Sequence, residues 1–265
     1  MNIQELFRTA RTFQEKQEWK NAIDLYSRII QMNPGLLQAY FERQSCLRKV
    51  NLLSEAEQDL DFILDITWRE SEGRYPEEIT QLRADTYHEK GNVSQEAGKL
   101  EEAIKFYELS AGILRGMPEH PSRGEKIIIN CYKTGFLLFD RMQRQRESLG
   151  PFSRGIDVAE YWKPKVTGEK YPRIFEIRRR QGYTNRGLVY QALDRYIDAE
   201  QDFFELDDMT ANYYIGKMYY EVGQLERAEQ HLQTCLEQKK KESIITIKAA
   251  GLLLSIRVIE GNTNN

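Results

Sequence analysis

An all-α fold of stacked antiparallel helix pairs is predicted by three features of this 265-residue chain. The first is a helix–turn–helix unit at Asn212–Cys235, NYYIGKMYYEVGQLERAEQHLQTC. Its apolar residues Ile215, Tyr219, Leu225 and Leu232 follow helical spacing, and the small residues Gly216 and Ala228 sit where two helices have to touch. The second is recurrence: Ala22 and Ala56 stand 34 residues apart at equivalent places of two further units. The third is composition. Seven Pro and 17 Gly are few for a turn-rich β protein, while 40% hydrophobic residues, 15 Tyr and 11 Phe are more than a disordered chain carries.

Taken in order, Leu6, Ala10 and Phe13 line one face of a first helix. Trp19, Ala22, Tyr26 and Ile29 line a second, which Pro34 closes because it lacks an N–H and fixes φ. Residues 37–68 repeat this with Tyr40, Gln44 and Leu47, then Ala56, Leu60 and Ile63; here Gln44 replaces a small residue. SEGRYPEE (71–78) reads as a loop ending in a helix start at Pro76, with Glu77 and Glu78 favouring the positive helix end. A long helix to about Gln95 follows, then Gly98, Leu100, Ala103 and Tyr107 complete a third unit. GMPEHPSR (116–123) breaks the pattern. In 124–171 a helix through EKIIINCYKTGFLLFDRMQRQRESL is expected, with Ile128, Cys131, Gly135 and Leu138 near one face, then a turn at LGPFSRG, a short helix at GIDVAEYW and a loop at KPKVTGEKYP. From about Arg173 the pattern returns with Tyr183, Gly187 and Tyr190, followed by Tyr196, Ala199, Phe203 and Leu206. After the final unit, ESIITIKAAGLLLSIRVI reads as a helix that caps the stack, and GNTNN as a polar tail.

The spacing Ile215-Gly216, Tyr219, Gly223, Leu225, Ala228, Leu232 resembles the tetratricopeptide repeat, and the resemblance extends over roughly 200 residues by the repeat-period criterion. It implies a right-handed helical solenoid of five to six pairs plus a capping helix. Three blocks are expected: N-terminal repeats in 1–115, a degenerate basic segment in 116–171, and C-terminal repeats with the cap in 172–259, before a tail at 260–265.

Little in the sequence supports catalysis. His88, His120 and His231 are isolated, and no metal-binding or phosphate-loop motif is present. Neither cofactor nor metal is expected. Cys46, Cys131 and Cys235 are odd in number and far apart; they read as buried small hydrophobes of a reducing compartment. No apolar run approaches the ~20 residues of a membrane span, and no secretory leader is visible, so a cytoplasmic protein is expected.

The resemblance implies a non-catalytic interaction scaffold or adaptor, with the first helix of each pair lining a concave groove. Groove-facing candidates are Phe7, Arg11 and Gln14; Phe41, Arg48 and Lys49; His88, Asn92 and Gln95; Thr184, Leu188 and Gln191; and Tyr213, Lys217 and Tyr220. The last three read as an outward face around Lys217. One branch of the family holds a chaperone's terminal carboxylate in a Lys/Asn/Arg clamp. This chain departs from that pattern, keeping only Asn92. Phe7, Arg11 and Glu42 replace other clamp residues, and Asp85 and Glu89 place acid where the clamp is basic. No clamp-type chaperone binding is expected.

Charge is uneven. Net charge is -6 over 1–122, +7 over 123–180 and -4 over 181–265, within a total of -3. The basic block includes Arg141, Arg144, Arg146, Arg154, Lys163 and Lys165, as well as Lys170 and Arg178-Arg179-Arg180. It offers an alternative function, nucleic-acid (RNA) binding. The reading favoured on sequence is that these cations pair with the protein's own acidic ends or form a solvated loop, because no aromatic interleaving or nucleic-acid motif accompanies them. A third alternative is a peptide-sensing regulator.

Overall fold

The computed structural model describes residues 2–69, 76–238 and 243–263. The expected loop at 71–75 and the end of the polar tail lie outside them. The described residues form thirteen α-helices and one π-helical turn. By packing, the chain divides into two compact units, Met1–Leu137 and Leu138–Asn265.

The first unit contains α1 (Ile3–Glu15), α2 (Trp19–Met32), α3 (Leu37–Lys49), α4 (Leu53–Arg69), α5 (Glu77–Glu96), α6 (Leu100–Arg115) and α7 (Pro121–Phe136). Neighbours in sequence pack together, α1 on α2, α2 on α3, and so on to α7 on α6. The Asn2 side chain accepts from the Glu5 amide while Glu5 accepts from the Asn2 amide, both at 2.9 Å, which satisfies two orphan donors of α1. Leu6, Ala10, Ala22, Tyr26 and Ile29 are buried together, and Leu47, Ala56 and Leu60 with Val93 form the next layer.

The second unit contains α8 (Gln145–Trp162), α9 (Lys170–Ala192), α10 (Tyr196–Phe204), α11 (Asp208–Glu221), α12 (Leu225–Glu237) and α13 (Ile244–Thr263). Its core gathers Ala199, Phe203, Tyr213, Ile215, Met218, Tyr219, Leu232, Cys235, Leu253 and Ile256. All three cysteines are buried, and none is in a disulfide among the described residues.

Two backbone devices recur. Each two-helix turn carries one left-handed residue: Gln17, Asn51, Gly98, Asp194 and Gly223, with φ of 60°, 61°, 77°, 58° and 76°. Each helix pair also keeps one register. A Cβ on Gly91 would stand 2.5 Å from the Tyr107 ring, one on Gly187 2.6 Å from Phe203, and one on Gly216 2.8 Å from Leu232 and 3.2 Å from the Ala228 carbonyl. In all three the partner lies sixteen residues on, as Tyr26 does from Ala10 in the same core layer. The small residues are therefore a condition of close helix approach.

Residues 116–171 differ from the sequence expectation in several ways. Helix α7 begins at Pro121, where the missing N–H costs nothing, and His120 caps it by accepting from the Ser122 amide at 3.3 Å. It stops at Phe136 and passes through the π-helical turn Leu137–Arg141; Gln143, at φ 56°, then redirects the chain. The expected turn at 149–155 lies inside α8. Pro151 and Phe152 are buried there with Ile156 and Ala159, and their packing outweighs the hydrogen bond that Pro151 removes. The segment is shared between the units, α7 packing on α6 and α8 on α9. The tail also starts later than expected, since α13 runs to Thr263.

Candidate functional site

In the first unit the first helices of successive pairs, α1, α3 and α5, together with α7, are joined by a polar ladder. Arg11 reaches Glu42 at 3.4 Å, and Gln38 donates to the same carboxylate at 2.8 Å. Arg48 donates to Glu96 at 3.0 and 2.5 Å and also pairs with Glu89. Lys126 meets Asp85 at 2.6 Å, and Lys133 donates to Asn92 at 2.9 Å. Apart from the Gln38–Glu42 bond, which lies within α3, each link ties one first helix to the next, so these residues share one face of the unit.

A cavity of about 330 Å³ opens on this face, lined by Phe41, Asp85, His88, Glu89, Lys126 and Ile129. At its back, Asn130 donates to Ser110 at 2.9 Å, which leaves its oxygen to accept from His88 Nδ1 at 2.6 Å. Burial holds the His88 imidazole below its usual range; Asn130, Glu89 and Asp85 oppose the shift and Lys133 adds to it. Burial also holds the Lys133 ammonium below its usual range, despite Glu89 and Glu96 nearby. Burial would lower Arg48, but its hydrogen bonds to Glu96 and the charge of Glu89 keep it above its ordinary value. A wider hollow of about 650 Å³ lies against α1, with Ile3, Phe7, Arg11 and Leu36 on its walls.

The sequence-derived groove residues meet different fates. Phe7 is half-buried with its ring 5.6 Å from Tyr26, and Gln14 accepts from the Tyr26 hydroxyl at 2.7 Å. Arg11, Phe41, Arg48 and His88 fall on the ladder or its cavity, and Lys49 is exposed. Asn92 and Gln95 both accept from the buried Tyr107 hydroxyl at 2.8 Å. In the second unit, Thr184 is half-buried, Leu188 packs on the core, and Gln191 donates to Glu221 at 2.5 Å. Lys217 pairs with Glu221 at 2.9 Å, and Tyr220 packs against the core. Tyr213 is a correction. It is only 8% exposed and belongs to the core, because a residue three positions before Gly216 shares that glycine's inward face. The outward face expected around Lys217 therefore lacks its first member.

Sequence reasoning missed Lys126, Asn130 and Lys133. Their spacing of four and three places them on one side of α7, a signal obscured because that stretch lacked a recognisable partner helix.

Several cations of the basic block are paired with acids within the second unit. Lys163 meets Glu176 at 2.9 Å, Arg179 meets Glu160 at 2.5 Å and pairs with Glu205, and Arg180 meets Glu176 and Asp207 at 2.9 Å each. Arg144 pairs with Glu147, and the Lys165 ammonium stands 3.4 Å from the Tyr161 ring centroid. Burial would raise the Glu176 carboxyl, but hydrogen bonds from Arg180 and Lys163 hold it below its usual range. Arg141, Arg146 and Arg154 are exposed. Among the described residues, no group of three His, Cys, Asp or Glu is placed to hold a metal ion, and no helix is long and apolar enough to cross a membrane.

Tetratricopeptide-repeat models match residues 6–35 and 84–113. No curated protein matches the chain by sequence. Three solved structures share the fold. A signal-transduction ATPase with numerous domains, bearing a tetratricopeptide repeat sensor, from Pyrococcus horikoshii has 15% identity and a TM-score of 0.66, covering 98% of this chain and 39% of that one. The apo form of RapI has 14% identity and a TM-score of 0.60, covering 99% and 72%. BtubC from P. vanneervenii has 12% identity and a TM-score of 0.55, covering 92% and 95%. The chain thus spans well under half of the first of these proteins. At such identities the likeness is one of fold.

Proposed function

We propose that this tetratricopeptide-repeat protein is a non-catalytic interaction scaffold, and that the ladder face of its first unit receives a peptide segment of a partner protein. The observation that carries the reading is the cavity beside the ladder. It combines the apolar Phe41 and Ile129 with the charged Asp85, Glu89 and Lys126, which are able to exchange internal partners for a ligand's. Apolar anchors ringed by polar groups are the usual anatomy of a peptide site. A terminal-carboxylate clamp is not part of the reading. Asp85 and Glu89 would repel the carboxylate, and Asn92 is already engaged by Tyr107 and Lys133.

The test is a photo-cross-linking amino acid in place of Phe41, with Leu109 on α6 as the control position, in a cell lysate. Adducts specific to position 41, lost when Asp85→Ala and Lys126→Ala are introduced, support the site. Equal adducts from both positions, or none from position 41, refute it. The regulatory reading shares this site, since a ligand competing for Glu89 would loosen the Arg48 link between α3 and α5. A ligand-dependent change in small-angle scattering separates a regulator from a rigid scaffold. Nucleic-acid binding through 123–180 is the weaker reading, since Arg144, Lys163, Arg179 and Arg180 are already paired with acids.

A further inference from the structure

Helix α13 leaves an apolar stripe uncovered. It packs on α12 and α11 through Ala249, Leu253 and Ile256, yet Ile244, Ile247, Leu254 and Val258 are 72%, 66%, 63% and 63% exposed. With Gly251 these residues recur at intervals of three and four, the spacing of a seam that packs against another helix. An end cap requires a polar outer face, so α13 covers the last repeat without closing the stack.

Gly251 is the second observation. A glycine inside a helix costs about 1 kcal/mol relative to alanine, and Gly91, Gly187 and Gly216 each answer that cost with a bulky side chain seated against them. Gly251 lies 35 residues after Gly216, at the corresponding place of the next first helix, in the middle of the stripe. A Cβ there would meet nothing within 4 Å. Gly251 thus keeps the repeat position of the other three glycines but has no side chain seated against it.

Charge indicates what fits. Residues 244–259 hold Lys248 and Arg257, both exposed, and no acid. A second copy of α13 would bring two more cations and another glycine to the centre. Helix α12, the second helix of the last pair, is the opposite: it carries Glu226, Glu229 and Glu237 against Arg227, with Leu232 in register with Gly216.

We propose that α13 is an acceptor for an acidic amphipathic helix of a partner protein, which seats a bulky apolar side chain on Gly251 between Ile247 and Leu254. This surface belongs to the second unit and does not depend on the peptide site of the first.

The probe is a fluorescent, helix-stapled peptide of residues 224–238, whose native relation to Gly216 the partner would copy. Fluorescence anisotropy with the full chain is expected to give saturable binding. Leu254→Asp and Gly251→Leu, both at exposed positions, are expected to weaken it at least tenfold with unchanged helical circular dichroism. A Leu232→Ala peptide is expected to weaken it likewise. Absence of binding, or binding unaffected by Leu254→Asp, overturns the proposal; the latter would mean that the peptide displaces α12 from Gly216. Concentration-dependent dimerisation abolished by Leu254→Asp assigns the stripe to a second copy and overturns it. Sedimentation with phosphatidylserine vesicles abolished by the same change assigns it to lipid and overturns it too.

Discussion

Arg43 and Asp59 stand sixteen residues apart in sequence and fork to fork in the fold, Nε to Oδ2 at 2.9 Å and Nη2 to Oδ1 at 2.6 Å. The remaining Arg43 nitrogen donates to Ser27 at 2.9 Å. The second unit repeats the device: Arg186 grips Asp202 at 2.8 and 2.7 Å and donates to Ser153 at 3.0 Å. Hydrogen bonding to the carboxylate raises both guanidinium groups above their ordinary pKa. Asp59 is 4% exposed, so truncating its partner strands a buried charge. Arg43→Ala is expected to cost about 3–5 kcal/mol in urea unfolding. The double change Arg43→Met with Asp59→Leu should cost less than Arg43→Ala alone; a larger loss would mean the pair stabilises beyond its desolvation.

Glycines in matching helices should respond in opposite ways. Gly91→Ala drives a methyl into the Tyr107 ring and is expected to destabilise by about 1–3 kcal/mol. Gly112, in α6, has open space where its Cβ would be, and Gly112→Ala is expected to stabilise by about 0.5–1 kcal/mol. Thermal melts of the two variants check the contrast, which disappears if the register around Tyr107 is wrong.

Gln17 holds φ 60° in the α1–α2 turn, where the third and sixth pairs use Gly98 and Gly223. The left-handed region costs a non-glycine residue about 1–2 kcal/mol. Part of that is returned as extra unfolded-state entropy when glycine replaces it. Gln17→Gly is therefore expected to raise the melting temperature, with a net gain of up to about 1 kcal/mol by the same comparison. A lowered melting temperature contradicts the turn geometry.

Acid should weaken the protein before its carboxylates titrate. His88 and His231 both have folded pKa values below the ordinary 6.5, each held down first by burial. His88 faces Asp85, Glu89 and Lys133; His231 faces Glu200 and Arg227. The unfolded chain takes up these protons first, so stability rises with pH across this range. The contribution is complete above 6.5 and is lost as pH falls through the folded values. Melting temperature is expected to drop between pH 7.5 and 5.5, and His88→Gln should flatten the slope. An unchanged slope in His88→Gln removes His88 from the account.

The basic block should not bind RNA. Lys163, Arg179 and Arg180 are paired with Glu176, Glu160, Glu205 and Asp207. Anisotropy with a single-stranded 30-mer at low salt is expected to show no saturable binding. A salt-dependent signal lost on neutralising Arg144, Arg146, Lys163 and Lys165 would restore the nucleic-acid reading.

Helix pairs with strong local patterns were legible from the sequence. Ala10, Ala22, Gly91, Ala103, Gly187, Ala199, Gly216 and Ala228 mark helix contacts by size alone, and size is visible in a sequence. The path between Phe136 and Gln145 was not, because a π-helical turn and a left-handed Gln143 carry no reliable residue signature. Pro151 misled for a related reason: local propensity argued for a turn, and burial beside Phe152 decided for a helix. Of the ladder and its cavity, Arg11, Phe41, Arg48 and His88 came from helical spacing, whereas Lys126 and Lys133 needed the third dimension to join them.

The sixteen-residue register also governs where this chain tolerates changes in length. Removing one residue from the α1–α2 turn would rotate the second helix by about 100° and carry Tyr26 off Ala10, since each helical residue advances by that angle. Between pairs the chain is far less exacting. Equivalent positions are separated by 34 residues from Ala10 to Gln44, by 47 from Gln44 to Gly91 and by 29 from Gly187 to Gly216. Insertions and deletions that accumulate in such a protein are thus confined to the joints between pairs, where they alter how one pair follows another and leave each pair's own interior intact.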